Sequence, residues 1–121
     1  MENLLALLLQ ARNVAHVHHW KTKSFSLHLA LGELYETITE FADALAEMSI
    51  GDLGDNDKLG SVAWDEPTGW DKGDPIAFIR QLHQYLEELK KTIPQDDWLI
   101  NKYEELQGEV AQIKYKADNL K

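Results

Sequence analysis

The feature that most restricts how this chain can fold is a run of apolar residues at alternating four- and three-residue steps. Seven residues follow this rule: Leu27, Leu31, Leu34, Ile38, Phe41, Leu45 and Met48. An apolar repeat with this period forms one face of a helix that packs against other helices. The sequence therefore predicts a long helix, about residues 26–50, with one face buried in a core.

Three further segments show helical periodicity, at about residues 2–20, 75–93 and 96–120. Asp74 and Pro75 are residue types that favour a helix start, and Pro94 is expected to end the third helix. Four amphipathic helices in one domain, residues 1–121, predict an all-α four-helix bundle. Residues 51–73 are predicted to form a long irregular segment between the second and third helices.

Composition and charge exclude several classes of function. The chain has twelve Lys and Arg residues against 21 Asp and Glu residues, a net charge of −9, so we expect no nucleic-acid partner. There is no segment typical of a signal peptide or a membrane span, and a cytoplasmic location without membrane contact is expected. The sequence contains no cysteine, so any metal would be bound by imidazole or oxygen ligands.

Histidine and carboxylate residues are concentrated around the first two helices. Four of the five histidines, His16, His18, His19 and His28, lie within thirteen residues. Asp43 and Glu47 are four residues apart, so they share a helix face. Mixed imidazole and carboxylate ligands suit iron, manganese or zinc. The alternative is that these histidines cap helix carbonyls or lie half-exposed, which is the favoured interpretation for any one of them taken alone.

The spacing of these residues restricts how they could share one metal ion. His28 and Asp43 lie on the same predicted helix, roughly 22 Å apart at a rise of 1.5 Å per residue. One ion cannot contact both. Two antiparallel copies of the helix would place His28 of one copy against Asp43 and Glu47 of the other. A shared site therefore requires a two-fold dimer, or a larger assembly built from such dimers.

The ligand candidates also carry a family resemblance. His19-Trp20, Leu27-His28 and Asp43-x-x-Ala46-Glu47 resemble the ligand motifs of the starvation-induced DNA-binding miniferritins (the Dps group) of the ferritin-like superfamily. The resemblance covers about residues 4–50. It implies a ferritin-like bundle that binds iron between subunits, with His19 and His28 facing Asp43 and Glu47 of a neighbour. His16, which shares a helix face with His19, is a further ligand candidate. It also implies ferroxidase activity and a homo-oligomeric shell.

The chain departs from that pattern in ways that support a second hypothesis. The corner between the first two helices is three residues shorter than in the miniferritins, and Met48 replaces an arginine that usually follows the glutamate. The chain is also similar to small ferritin-like proteins encoded by tailed phages, which would place it in the host cytoplasm. The alternative function is a non-catalytic oligomeric bundle that binds a small molecule or a protein through Trp64 and Trp70.

Overall fold

The computed structural model describes residues 1–53 and 68–119, with the backbone alone for residues 50–53. These residues form four α-helices: α1 (Glu2–Lys21), α2 (Phe25–Leu53), α3 (Pro75–Leu89) and α4 (Asp97–Asn119). Two single-turn 3₁₀ helices, Trp70–Lys72 and Lys90–Thr92, precede and follow α3. The described part of the chain is therefore all-α with four helices, as the periodicity predicted.

Side-chain contacts fix the direction in which α4 packs on α2. Contacting residues on the two helices are Glu33 with Lys116, Thr37 with Glu109, and Phe41 with Lys102. Residue numbers rise along α2 as they fall along α4, so the two helices are antiparallel. The three-residue corner at residues 22–24 makes α1 and α2 antiparallel as well.

The direction of α3 determines where the bundle needs its long connection. Arg80 pairs with Asp118, and the Tyr103 hydroxyl donates to the Leu86 carbonyl, so α3 is antiparallel to α4. It follows that α2 and α3 run in the same direction. The end of α2 and the start of α3 therefore lie at opposite ends of the bundle, and Trp70 lies beside the last turn of α1.

The predicted apolar repeat forms the centre of the core. Six of its seven residues are buried, and Met48 is partly buried against the same cluster. The other helices supply matching stripes to this cluster, namely Leu4, Leu8, Ala11 and Ala15 from α1, Ile79, Leu82 and Leu86 from α3, and Leu99, Tyr103, Leu106, Val110, Ile113 and Ala117 from α4. The burial of these stripes sets which helix faces remain available for function.

Side-chain caps explain where two of the helices begin, and two helices end at positions that differ from the prediction. Ser24 and Asp74 cap α2 and α3 by accepting from the backbone N–H groups of Leu27 and Ile76. Helix α3 ends at Leu89, before the predicted position 93, because the chain tightens into a 3₁₀ turn ahead of the proline. Helix α2 continues to Leu53, three residues into the segment predicted to be irregular, and residues 54–67 of that segment lie outside the described part of the chain.

None of the helices in residues 1–53 and 68–119 is long and apolar enough to cross a bilayer.

Tyr103 is the largest fully buried side chain in the described core. Its hydroxyl donates to the Leu86 carbonyl, and burial raises the pKa of the Tyr103 phenol. Since the folded state disfavours the phenolate, the associated stability is present below pH about 10 and is lost as pH rises above the ordinary tyrosine pKa.

We expect Tyr103→Phe to lower the free energy of unfolding at pH 7 by about 1 kcal/mol, because a buried carbonyl loses its donor. Above pH 10 the difference between wild type and variant should shrink, since phenylalanine cannot ionise. Urea unfolding at several pH values measures both effects. Tyr115→Phe, at a side chain that is 63% exposed, is the control and should show neither. Equal stability of wild type and Tyr103→Phe at pH 7 would contradict this account.

Candidate metal site

His19 and His28 form a reciprocal pair across the corner between α1 and α2. The Nδ1 atom of His19 lies 2.7 Å from the carbonyl oxygen of His28, and Nδ1 of His28 lies 2.9 Å from the carbonyl oxygen of His19. The two imidazole rings are stacked with centroids 3.8 Å apart. We call this arrangement the histidine clasp. It links the last turn of α1 to the first turn of α2.

The clasp follows from the chemistry of a helix end. Carbonyls in the last turn of α1 have no N–H group of the same helix to accept from, and His19 contributes one of them. After a three-residue corner, His28 is the α2 residue whose ring reaches that carbonyl. Because a short corner holds the two helix ends together, each ring can satisfy the backbone of the other residue.

The hydrogen bonds of the clasp define the chemistry left on each ring. A carbonyl oxygen only accepts, so Nδ1 must carry the proton in both His19 and His28. In a neutral ring, Nε2 then retains its lone pair. Metal-binding histidines in proteins commonly have this arrangement, with one ring nitrogen donating to a carbonyl and the other free to bind a metal.

Gly32 provides the space for the clasp. A Cβ atom at this position would lie 3.2 Å from Cε1 and 3.3 Å from Nδ1 of His19, closer than such atoms normally approach. The absence of a side chain at Gly32 lets the His19 ring lie against the backbone of α2. Glycine inside a helix costs about 1 kcal/mol against alanine, and the close approach of the His19 ring explains why glycine is suited to this position.

His16 lies one turn before His19 and belongs to an aromatic group. Its ring centroid is 4.2 Å from that of Trp20, 4.2 Å from that of Tyr35, and 6.0 Å from that of His19. His16 therefore shares the face that carries the clasp. Its surroundings are aromatic, and it is the weaker ligand candidate of the three.

His18 has a structural role that the sequence interpretation missed. It is 3% exposed, its Nε2 donates to the Trp70 carbonyl over 2.8 Å, and its ring lies against Phe78. Trp70 in turn packs on Phe78 and Tyr85. The sequence did contain a pattern that indicates this burial, because His18 continues the three- and four-residue steps of the buried stripe on α1. Trp64, the other predicted ligand-binding residue, lies outside the described residues.

Asp43 and Glu47 are exposed on α2, one helical turn apart. The rise of an α-helix places Asp43 roughly 22 Å from His28, as the spacing predicted. In the described part of one chain, no three His, Asp or Glu side chains come together in a group that could hold a metal ion. A single protomer therefore presents a histidine pair and an acid pair on separate parts of its surface.

The histidine pair and Asp43 lie along the surface between α1 and α2, which we call the α1–α2 face. Its members are Leu5, Leu9, Arg12, His16 and His19 from α1 and His28, Gly32, Tyr35, Thr39, Asp43 and Ala46 from α2. The histidines lie at one end. At the other end is an open pocket of about 440 Å³ whose wall includes Asp43. The face thus has a histidine end and an acidic end.

The described residues form an all-α protein with a four-helix core and one helix hairpin whose surface carries histidines at one end and carboxylates at the other. Residues 19–117 match a family model described as a family of unknown function (DUF5856). Because the match covers most of the chain, the protein belongs to that family. No curated protein and no solved structure matches the chain significantly.

We expect Gly32→Ala to disrupt the clasp. Alanine favours a helix over glycine by about 1 kcal/mol, but here its Cβ would displace the His19 ring and weaken two hydrogen bonds worth about 1 kcal/mol each. The net change should be neutral or destabilising, as measured by denaturant unfolding.

Gly108→Ala on α4 is the matched control, because a Cβ at Gly108 meets nothing within 4 Å. It should raise the free energy of unfolding by about 1 kcal/mol. If Gly32→Ala stabilised the protein as much as Gly108→Ala, the clasp would contribute nothing.

Proposed function

We propose that the protein is a homo-oligomeric, ferritin-like metal-binding protein whose site lies between subunits. The observation that carries the proposal is the histidine clasp. Both of its rings are held through Nδ1 by backbone carbonyls, at 2.7 and 2.9 Å, and neither Nε2 atom has a hydrogen-bond partner among the described residues. Each ring therefore offers one nitrogen ligand, and the two rings lie next to each other.

The oxygen ligands of the proposed site come from a second copy of the chain. Asp43 and Glu47 are exposed, one turn apart, and too far along α2 to reach His28 of their own protomer. An antiparallel copy of α2 brings them to the clasp. A two-fold axis then generates two equivalent sites, each with His19 and His28 of one protomer and Asp43 and Glu47 of its partner.

The ligand set fits ferrous iron, and also manganese or zinc. Two imidazoles and two carboxylates mix nitrogen and oxygen ligands, which suits these ions better than magnesium or copper(I). In the proposed activity Fe²⁺ is the substrate, and it gives up an electron to dioxygen as ferric iron forms. The protein residues would bind and orient the ion, and the backbone carbonyls would hold the imidazoles in the required tautomer.

The topology supports the ferritin-like part of the proposal. Ferritin-like bundles have one long crossover connection. Here α2 and α3 run in the same direction, so a single long connection joins opposite ends of the bundle. The short corners after α1 and α3 agree with the same plan.

The clasp also has a purely structural explanation, in which the histidines only close the corner. The two explanations make different demands on the ring atoms: the structural one needs Nδ1, and the metal one also needs Nε2. Asparagine separates them, because its side-chain amide can donate from nearly the same place as Nδ1 but provides nothing at the position of Nε2.

We expect His28→Asn to keep its stability within about 1 kcal/mol of wild type, because the bond to the His19 carbonyl is retained. Its affinity for Mn²⁺, Zn²⁺ and anaerobic Fe²⁺ should fall at least tenfold, since a ligand is lost. Isothermal titration of the metal-free protein measures the affinity.

His83→Asn is the matched control for this experiment. His83 is partly exposed on α3, near Glu87 and remote from the clasp, so its replacement should leave metal affinity unchanged. Wild-type affinity in His28→Asn would exclude His28 as a ligand.

Mixing two inactive variants tests whether the ligands come from different subunits. His19→Asn/His28→Asn keeps only the acid pair, and Asp43→Asn/Glu47→Gln keeps only the histidine pair. After subunit exchange about half of the dimers should be hybrids with one complete site each, which restores about a quarter of the wild-type sites. Bound metal after gel filtration, and ferric absorbance after adding Fe²⁺ in air, report the recovery.

Each double variant on its own should bind no metal at these sites. The measured mass of the mixture verifies that dimers form. Hybrid dimers that bind no metal would show that these four residues do not build a shared site. Hybrids that bind metal but produce no ferric absorbance beyond the protein-free rate would leave a binding site without ferroxidase activity.

A second candidate function rests on the surface beside Trp70. A shallow pocket of about 200 Å³ there is lined by Gly69, Trp70, Gly73, Asp74, Ala77, Phe78 and Gln81. In this alternative the oligomeric bundle binds a small molecule or a protein segment and has no metal chemistry. The metal content of the purified protein distinguishes the two, since the first function predicts stoichiometric metal and the second predicts none.

A further inference from the structure

The α1–α2 face carries an exposed tryptophan at its histidine end. Trp20 directly follows His19 in the last turn of α1 and is 67% exposed. One side of its indole contacts His16, with ring centroids 4.2 Å apart, and this contact fixes the side chain beside the clasp. A large aromatic side chain held in this way is typical of an interface anchor.

The pocket at the acidic end of the same face has matching properties. Its walls include the apolar side chains of Leu5, Leu9, Ala42 and Ala46. At about 440 Å³ it has room for a large side chain. Arg12 lines the same pocket, and its Nε atom is buried without a hydrogen-bond partner among the described residues. A buried donor of this kind needs an acceptor from outside the described residues, and a second copy of the chain can supply one.

The charges at the two ends of the face are complementary. Lys21 and Lys23 are exposed around the histidine end. The acidic end carries Glu40, Asp43 and Glu47, which are all exposed. An antiparallel second copy places each basic end against an acidic end, whereas a parallel copy would place like charges together. The charge pattern therefore favours the chain itself, in antiparallel orientation, as the occupant of this face.

We propose that Trp20 of one protomer inserts into the pocket formed by Leu5, Leu9, Arg12 and Ala46 of a second copy. This inference rests on the proposed function, because it uses the same antiparallel pairing. The register agrees: when the clasp lies opposite Asp43 and Glu47 of the partner, the residue next to His19 lies opposite Ala46, between the two acids.

A double-mutant cycle on dimer dissociation tests this contact. Trp20→Ala should raise the dissociation constant of the dimer at least tenfold, as expected for a central aromatic anchor. Leu9→Ala should raise it several-fold. If the Trp20 indole contacts the Leu9 side chain across the interface, the double variant should dissociate no more readily than Trp20→Ala alone. Analytical ultracentrifugation, in the presence of a chelator, measures all four proteins.

The cycle reports a contact between chains because the two residues are distant within one chain. Trp20 and Leu9 lie eleven positions apart on α1, roughly 16 Å, too far for direct coupling. Trp98→Ala is the control: Trp98 is also exposed but lies on α4, and its replacement should leave the dissociation constant within twofold. Circular dichroism of each variant verifies that the helices are retained.

Two results would overturn the proposal. If the effects of Trp20→Ala and Leu9→Ala multiply in the double variant, Trp20 does not occupy the pocket. If Trp64→Ala but not Trp20→Ala weakens the dimer, a different tryptophan is the anchor.

The experiments distinguish failure of the metal proposal from failure of the Trp20 contact. Because the cycle is measured without metal, a coupled cycle together with no metal binding would retain the Trp20 contact and reject the metal site. Metal recovery in hybrid dimers together with an uncoupled cycle would retain the metal site and reject the Trp20 contact.

Discussion

The hairpin of α1 and α2 depends on two hydrogen bonds between His19 and His28. In each bond, the ring of one histidine donates to the backbone carbonyl of the other. They satisfy a carbonyl at the end of α1, close a three-residue corner, and hold two imidazole rings in contact. The same bonds assign the proton of each ring to Nδ1. One local constraint therefore sets both the geometry of the helix hairpin and the chemistry that its surface presents, and Gly32 is the residue that makes room for it.

The α1–α2 face gains its significance from being self-complementary. It has imidazoles, lysines and an exposed indole at one end, and carboxylates and an apolar pocket at the other. In the proposed dimer each end meets what the opposite end of the second copy offers: the clasp meets carboxylates, and the pocket with the buried Arg12 donor meets Trp20. A two-fold axis between antiparallel copies creates both contacts at once, which is why the proposed metal site and the proposed Trp20 contact share one geometry.

The sequence predicted those features that depend on periodicity and on local capping chemistry. The four-three repeat along α2 identified the buried face, and Asp74 with Pro75 marked the start of α3, because both signals act within a few residues. The burial of His18 was not predicted, although His18 continues the buried stripe of α1; its hydrogen bond to the Trp70 carbonyl depends on the tertiary fold and does not follow from spacing. The clasp could not be predicted from spacing either, because spacing shows which helix face a residue occupies and not which hydrogen bonds its ring makes. The candidate ligands were found from residue type and spacing, whereas the hydrogen bonds that assign the protons of His19 and His28 to Nδ1 were known only from the structure.

Native mass spectrometry of the protein loaded with Fe²⁺ without oxygen, or with Zn²⁺, tests the central claim most directly, because it reports the number of chains and the number of bound ions in the same species. An intersubunit site predicts that metal is bound specifically by dimers or larger even assemblies, with up to two equivalent sites per pair of chains, and that monomers are metal-free. Monomers that retain one tightly bound ion, or dimers that bind none, would contradict the account.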